Sequence, residues 1–167
     1  QEGADHLVGG AGGDLLLGGK GDDQISVGGT AALAAFNAGD GQDRISLASE
    51  LQRLTLSLGG GIAYQDLALR KSGDDLLLET GANDNVTLAD WYASSTPTPQ
   101  SVTLQTITEA MPGFDPNSSD VLLNTKVQEF DFKALVQAFN QARSADPTLN
   151  RWAVMNNLLD THLSGSD

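Results

Sequence analysis

A nine-residue period near the start of the chain restricts the fold more than any other feature. Residues 9–17 (GGAGGDLLL) and 18–26 (GGKGDDQIS) both fit glycine-glycine-x-glycine-x-aspartate-x-aliphatic-x at all five fixed positions. Residues 3–8 (GADHLV) fit the last six positions of a preceding copy. Two sets of residues therefore recur every nine positions: Asp5, Asp14 and Asp23, and Leu7, Leu16 and Ile25. A repeat of this kind predicts one small structural unit that is stacked several times.

The period slips after the second full copy and then recovers. Residues 27–35 (VGGTAALAA) keep a glycine pair one position late and contain no aspartate. Residues 39–46 (GDGQDRIS) restore the pattern with Gly41, Asp43 and Ile45. Asp43 follows Asp23 by 20 residues, where two perfect repeats would give 18, so we expect a degenerate unit with two inserted residues.

This nonapeptide resembles the calcium-binding repeat of the RTX (repeats-in-toxin) proteins. Residues 54–92 are similar to the segment that follows the array in many members of that family, with a glycine-rich turn, an SGDDL turn and a DxVT…W strand. Within that segment Gly73, Asp75 and Leu77 repeat the glycine-x-aspartate-x-aliphatic spacing, and Asp84–Val86 repeats it weakly. We expect Asp75 to be either a turn-capping residue or a ligand, and Asp84 to be structural.

The residue types of the repeat suit calcium. Glycine permits positive φ and close backbone approach, so carbonyl oxygens can converge, and each aspartate adds a charged oxygen. Calcium takes 6–8 such hard ligands, whereas magnesium demands compact octahedral geometry and softer metals prefer nitrogen or sulfur. The resemblance therefore implies several bound Ca²⁺ ions and no other cofactor.

The resemblance also implies a parallel β-roll, in which two nonapeptides make one coil and each ion lies between turns of neighbouring coils. Asp5 and Asp23 would form the best pair, Asp23 would pair again with Asp43, and Asp14 would face Ala32. Asp22 and Asp40, which flank the motif positions, are expected to be exposed. The predicted metal-binding residues are Gly3, Asp5, Gly10, Gly12, Asp14, Gly19, Gly21, Asp23, Gly41, Asp43, Gly73 and Asp75.

Composition excludes several other functions. The net charge of −13 argues against nucleic acid and anionic membranes as partners. Cysteine is absent and only two histidines are present, which excludes disulfides, thiol catalysis and a multi-histidine metal site. No apolar run is long enough to span a bilayer. Because no nucleophile motif or phosphate-binding loop is present either, we do not expect an enzyme.

The last third of the chain changes from strand to helix patterning. VTLQTI at 102–107 predicts a strand, and Phe132, Leu135, Val136 and Phe139 recur with helical spacing behind a possible N-cap at Asp131. Asp146–Pro147 predicts the start of a second helix, whose apolar face would contain Leu149, Trp152, Ala153, Leu159 and Leu163.

We therefore expect a mainly β protein with a C-terminal α part. It divides into a calcium-binding β-roll (1–47), roll-closing strands (48–107), and a C-terminal loop and helical hairpin (108–167) that caps the roll or serves secretion.

Two further features have ordinary explanations. DPNSSD at 115–120 begins as an EF-hand loop does but lacks the later glycine and glutamate, so we favour an ordinary loop. Trp91 and Tyr92 could belong to a sugar-binding surface, although a closing core position is the better interpretation for Trp91.

The resemblance implies a function outside the cell. RTX proteins leave bacteria through type I secretion machinery and fold when they meet extracellular calcium. Since the chain begins inside a repeat, we expect it to belong to a larger secreted or surface toxin, adhesin or hydrolase. Two alternatives stay open: an adhesin tip that binds a host or surface ligand, and the non-catalytic tail of an RTX protease or lipase.

Overall fold

Short strands account for most of the ordered structure. The computed structural model describes residues 2–167, which contain thirteen strands and two α-helices. The strands are β1 (His6–Val8), β2 (Gly13–Leu17), β3 (Gln24–Val27), β4 (Ala31–Phe36), β5 (Gln42–Leu47), β6 (Arg53–Leu58), β7 (Ala68–Ser72), β8 (Asp75–Glu79), β9 (Asn85–Leu88), β10 (Ser101–Ile107), β11 (Val127–Asp131), β12 (Trp152–Ala153) and β13 (His162–Ser166). The helices are α1 (Phe132–Ala145) and α2 (Leu158–Thr161).

The first six strands alternate between two sheets. The first sheet has the order β1-β3-β5-β9-β8-β7-β12, and the second has the order β13-β11-β10-β6-β4-β2. Strands β1, β3, β5 and β9 pair in parallel in the first sheet, as β2, β4, β6 and β10 do in the second. The remaining pairs are antiparallel, so both sheets are mixed.

The strand register follows the sequence period. His6 pairs with Gln24 and Gly13 pairs with Ala31, an offset of 18 residues in both cases. Gln24 pairs with Arg44, an offset of 20. The two extra residues in the degenerate unit therefore lie in the connection between β3 and β5, and the pairing of the strands continues across them.

The apolar core lies where the inward faces of the two sheets meet. The aliphatic positions of the repeats are buried at Leu16, Ile25 and Ile45, whereas Leu7 in the first unit is only partly buried. Alternation continues into β6, where Leu54, Leu56 and Leu58 are buried and the residues between them face outward. This two-residue alternation is the pattern of a strand with one buried face.

Helix α1 confirms the predicted helical spacing. The Asp131 carboxylate accepts a hydrogen bond from the Ala134 N–H at 3.0 Å, which is the geometry of an N-cap. Phe132 and Phe139 are fully buried on the face of the helix that packs into the core, and Phe132 makes an edge contact with Trp91. Trp91 is itself a closing core residue with an exposed fraction of 8%.

The predicted second helix is wrong, and with it the helical hairpin. The Asp146 carboxylate accepts hydrogen bonds from Thr148 and forms a local turn. Trp152, in β12, then pairs with Leu69 of β7, and its ring stacks on that of Phe139. The free edge of β7 thus recruits this segment as a strand, and tertiary pairing overrides the local helical pattern.

The apolar face predicted for that helix consequently does not form. In this segment only the four residues of α2 are α-helical, after one turn of 3-10 helix at Met155–Asn157, and the side chains of Leu159 and Leu163 are 62% and 56% exposed. The chain then continues into β13, which pairs with β11.

All three predicted segments contribute to one continuous core. Ile25 from the first, Leu56 from the second and Phe130 from the third belong to the same cluster of buried residues. No helix among residues 2–167 is long and apolar enough to cross a membrane.

Candidate metal centre

Glycines at the fourth position of the repeat share one backbone conformation. Gly3, Gly12, Gly21 and Gly41 have φ values of 113°, 120°, 132° and 109°. These angles are accessible to glycine and strained for other residues. The glycines of the sequence motif are thus required by the turn that precedes each strand.

The turns before β1, β3, β5 and β9 stack along one edge of the structure, here called the first edge. The Gly3 N–H donates to Lys20 O at 2.7 Å, and the Gly21 N–H donates to Asp40 O at 2.7 Å. A Cβ atom on Gly41 would lie 2.6 Å from Gly21 O, and one on Gly21 would overlap Gly3 O. The absence of side chains therefore lets carbonyl oxygens of one turn approach the backbone of the next.

Aspartates form a ladder along this edge. Asp23 Oδ1 accepts a hydrogen bond from the Asp5 N–H at 2.7 Å, and Asp43 Oδ1 accepts one from the Asp23 N–H at 3.0 Å. Asp23 is 1% exposed and Asp43 is 3% exposed. The structure thus brings together the three aspartates that the spacing pairs, including the pair separated by 20 residues.

Two carboxylate oxygens are buried without compensation. Asp14 Oδ2 and Asp23 Oδ2 have no hydrogen-bond partner within residues 2–167. Asp23 Oδ2 lies against Gly18, where a Cβ atom would overlap it, and a Cβ on Gly9 would lie 2.7 Å from Asp14 Oδ2. Burying a charged oxygen without a partner is costly, so each of these positions favours a cationic ligand.

The electrostatics of the first edge also favour a cationic ligand. The pKa of Asp43 is raised to about 7, mainly because the carboxyl is buried; the hydrogen bond from Asp23 N–H opposes the rise, and the carboxylates of Asp23, Asp40 and Asp22 add to it. Like charges gathered in a poorly solvated place disfavour ionisation. A bound divalent cation would reverse this effect by compensating the clustered charge.

Side chains alone do not complete a metal site here. Across the described part of the chain, no three His, Cys, Asp or Glu side chains converge in an arrangement that could hold a metal. A cation on the first edge would therefore need main-chain carbonyls, of which those of Gly3 and Gly21 face the following turn. Gly19, also predicted as a ligand, lies in the Asp23 turn with φ of 92°.

The second edge, formed by the turns before β2, β4 and β6, is poorer in charge. Asp14 is in register with Ala32, so the next unit supplies no carboxylate at this level. The carbonyls of Gly9, Gly10 and Gly12 all approach the Gly28–Gly29 turn. This edge contains glycine carbonyls and a single repeat aspartate.

Gly73 and Asp75 are not brought together with the other predicted ligands. Gly73 lies in the antiparallel turn between β7 and β8, with φ of 58°. Asp75 forms an ion pair with Arg44 at 2.7 Å and accepts the Asp90 N–H at 2.8 Å. The hydrogen bond from Arg44 is the main reason that the pKa of Asp75 is lowered. Of the two roles expected for Asp75, the structural one fits this geometry.

Two acidic residues outside the predicted set contribute to the first edge. Asp40 was expected to be exposed, but it is 8% exposed and accepts hydrogen bonds from the Asn37 N–H and side-chain amide at 2.7 and 3.2 Å. Asp84 Oδ2 accepts the Gly39 N–H at 2.6 Å. Asp22 is exposed, as expected. The burial of Asp40 follows from the insertion, whose turn the repeat pattern does not specify.

No family model matches this chain, and no curated protein matches it significantly.

Proposed function

We propose that this chain is a calcium-binding module of the RTX type, in which a parallel β-roll completes its folding on binding calcium. The observation that carries the proposal is the buried carboxylate of Asp23. One of its oxygens accepts the Asp5 N–H, and the other is buried with no partner in the described structure. A buried charged oxygen without a partner is costly, so this position favours a nearby cation.

Calcium fits the available donors better than other common ions. The donors on the first edge are carboxylates and glycine carbonyls, which are hard oxygen ligands. They come from successive turns whose spacing differs between the 18-residue and 20-residue pairs. Calcium tolerates irregular coordination of this kind, whereas magnesium requires near-ideal octahedral geometry.

Calcium binding and folding are coupled in this proposal. The N-terminal part has a thin aliphatic core, and its glycine-rich turns lose much conformational entropy on folding. The pKa of Asp43 is raised mainly because its carboxyl is buried, and repulsion from the carboxylates of Asp23, Asp40 and Asp22 adds to the rise. Binding free energy then becomes part of the folding free energy. Export through type I secretion machinery in an unfolded, calcium-free state, followed by folding outside the cell, is the biological setting that we propose.

Circular dichroism during a calcium titration tests this function. We expect β structure to increase at about 0.1–1 mM calcium, the range of extracellular modules, and an equal concentration of magnesium to have much less effect. Identical spectra with chelator and with calcium would overturn the proposal.

A further inference from the structure

A polar cleft of about 580 Å³ lies on the outer face of the first sheet. Its floor contains outward-facing residues of neighbouring strands, Gln42 of β5, Asn85 of β9 and Glu79 of β8. The 81–84 turn and the segment around Gln65 form its walls, and Arg151 closes one side. The cleft is within the size range of small-ligand sites.

The cleft presents hydrogen-bonding groups that the protein itself does not use. The side-chain amides of Gln42, Gln65 and Asn83 make no hydrogen bond to any residue within 2–167. Arg151 uses its Nε for Glu79 at 2.6 Å, which leaves its two terminal nitrogens without a partner in the described structure. Amides both donate and accept, and guanidinium groups donate in pairs, so this set matches a ligand with many adjacent hydroxyl groups.

Charge argues against an anionic ligand. Arg70 and Arg151 both pair with Glu79, at 3.3 and 2.6 Å, and this ion-pair cluster fixes their positions. Asp66 and Asp84 also line the cleft, so the acidic residues outnumber the basic ones by three to two. The chain carries a net charge of −13 as well. An anionic ligand would therefore meet repulsion from the cleft and from the whole protein.

We propose that this cleft binds a neutral saccharide, through side-chain amides and the guanidinium of Arg151. Recognition depends on hydrogen bonds across the sheet face, because no aromatic residue lines the cleft and Trp91 is buried against Phe132. This inference does not rest on cation binding. It assigns a surface ligand to a face that none of the predicted metal-binding residues forms.

Binding to immobilised neutral oligosaccharides of hexoses, N-acetylhexosamines and fucose tests the proposal, with sialylated and sulfated glycans as the anionic arm. We compare the full chain with Gln42→Ala and Asn83→Ala, which each remove one unpaired amide from the cleft. Gln24→Ala is the matched control, because Gln24 is an exposed amide at the start of β3 on the same sheet and does not line the cleft. Circular dichroism under the assay conditions verifies that all four proteins are folded.

The expected result is binding to at least one neutral oligosaccharide. Gln42→Ala and Asn83→Ala should each lower the affinity about tenfold, which is the effect of losing one good hydrogen bond. Gln24→Ala should leave the affinity unchanged. Absence of binding to every neutral glycan by the folded protein would overturn the proposal. So would binding restricted to anionic glycans, or binding that both cleft variants retain. A failure of this kind leaves calcium-dependent folding unaffected, since that is measured separately.

Discussion

The substitution Asp23→Asn separates the cost of the buried carboxylate from its benefit. Asparagine keeps an oxygen that can accept the Asp5 N–H, and it replaces the charged Oδ2, which has no partner, with a neutral amide nitrogen that costs less to bury. Without calcium the variant should be the more stable protein. With calcium it should be the less stable one, because the carboxylate would no longer be available to the cation.

The structure sets the size of both effects. A buried neutral polar group without a partner costs about 1–3 kcal/mol and a charged one costs more, so in the absence of calcium the variant regains only the difference, on the order of 1 kcal/mol. The Asp23 turn lies between the turns of Asp5 and Asp43, so two ions would depend on it. With a Kd of about 0.3 mM and about 10 mM calcium, each ion contributes about 2 kcal/mol. The loss of about 4 kcal/mol exceeds the gain, so the variant should be about 3 kcal/mol less stable in calcium.

Urea unfolding followed by circular dichroism measures this reversal of sign, in calcium and in chelator, with a stabilising osmolyte such as TMAO in both so that the calcium-free folded state is populated. Asp22→Asn is the matched control, because Asp22 is the adjacent residue, is exposed, and accepts a backbone N–H that asparagine can also accept. The control should differ from the parent protein by less than about 1 kcal/mol in both conditions. If Asp23→Asn shows the same response to calcium as the parent protein, Asp23 is not a ligand and the reasoning fails.

Three other predictions follow from the same geometry. Asp14→Ala should reduce calcium binding less than Asp23→Ala, since Asp14 faces Ala32 in the next unit; calorimetry on both variants decides, and equal losses would contradict the proposed pairing. In chelator with the same osmolyte, the free energy of unfolding should fall between about pH 4 and 7, because native Asp43 retains a proton that the unfolded chain has released; urea unfolding at pH 5 and 7.5 would show no such fall if Asp43 titrates normally. Truncation after Pro112 removes β11 and β12, which pair with β10 and β7, but removes no proposed ligand. It should therefore raise the calcium concentration at the midpoint of folding at least about tenfold, or prevent folding. A monomeric fragment that folds at the same calcium concentration would count against this capping role.

The repetitive part of the fold could be predicted from the sequence because one rule applies to every unit. The nine-residue period places the aliphatic residues of β2, β3 and β5 in the core, and the register offset of 20 between Gln24 and Arg44 matches the two inserted residues. The aspartate ladder follows from the same count. Residues that repeat in sequence occupy equivalent positions in space, so spacing alone is sufficient there.

The rest depends on contacts that local spacing does not contain. Trp152 lies in a strand because β7 has an edge to pair, and Asp75 reaches Arg44 because β8 and β5 pair with opposite sides of β9. Asp40 is buried because the inserted turn folds back on Asn37. In each case the contact that determines the structure involves a residue remote in sequence or an irregular turn, so neither the nine-residue period nor a motif identifies it.

A crystal structure of the protein grown in calcium is the most direct test of the central claim. The proposal predicts an ion on the first edge beside Asp23, with 6–8 oxygen ligands at about 2.3–2.6 Å drawn from the aspartates and glycine carbonyls of adjacent turns. An anomalous signal from calcium at that position would identify the ion. A folded protein with Asp23 Oδ2 still buried, and with no calcium on the edge at millimolar concentration, would contradict the account.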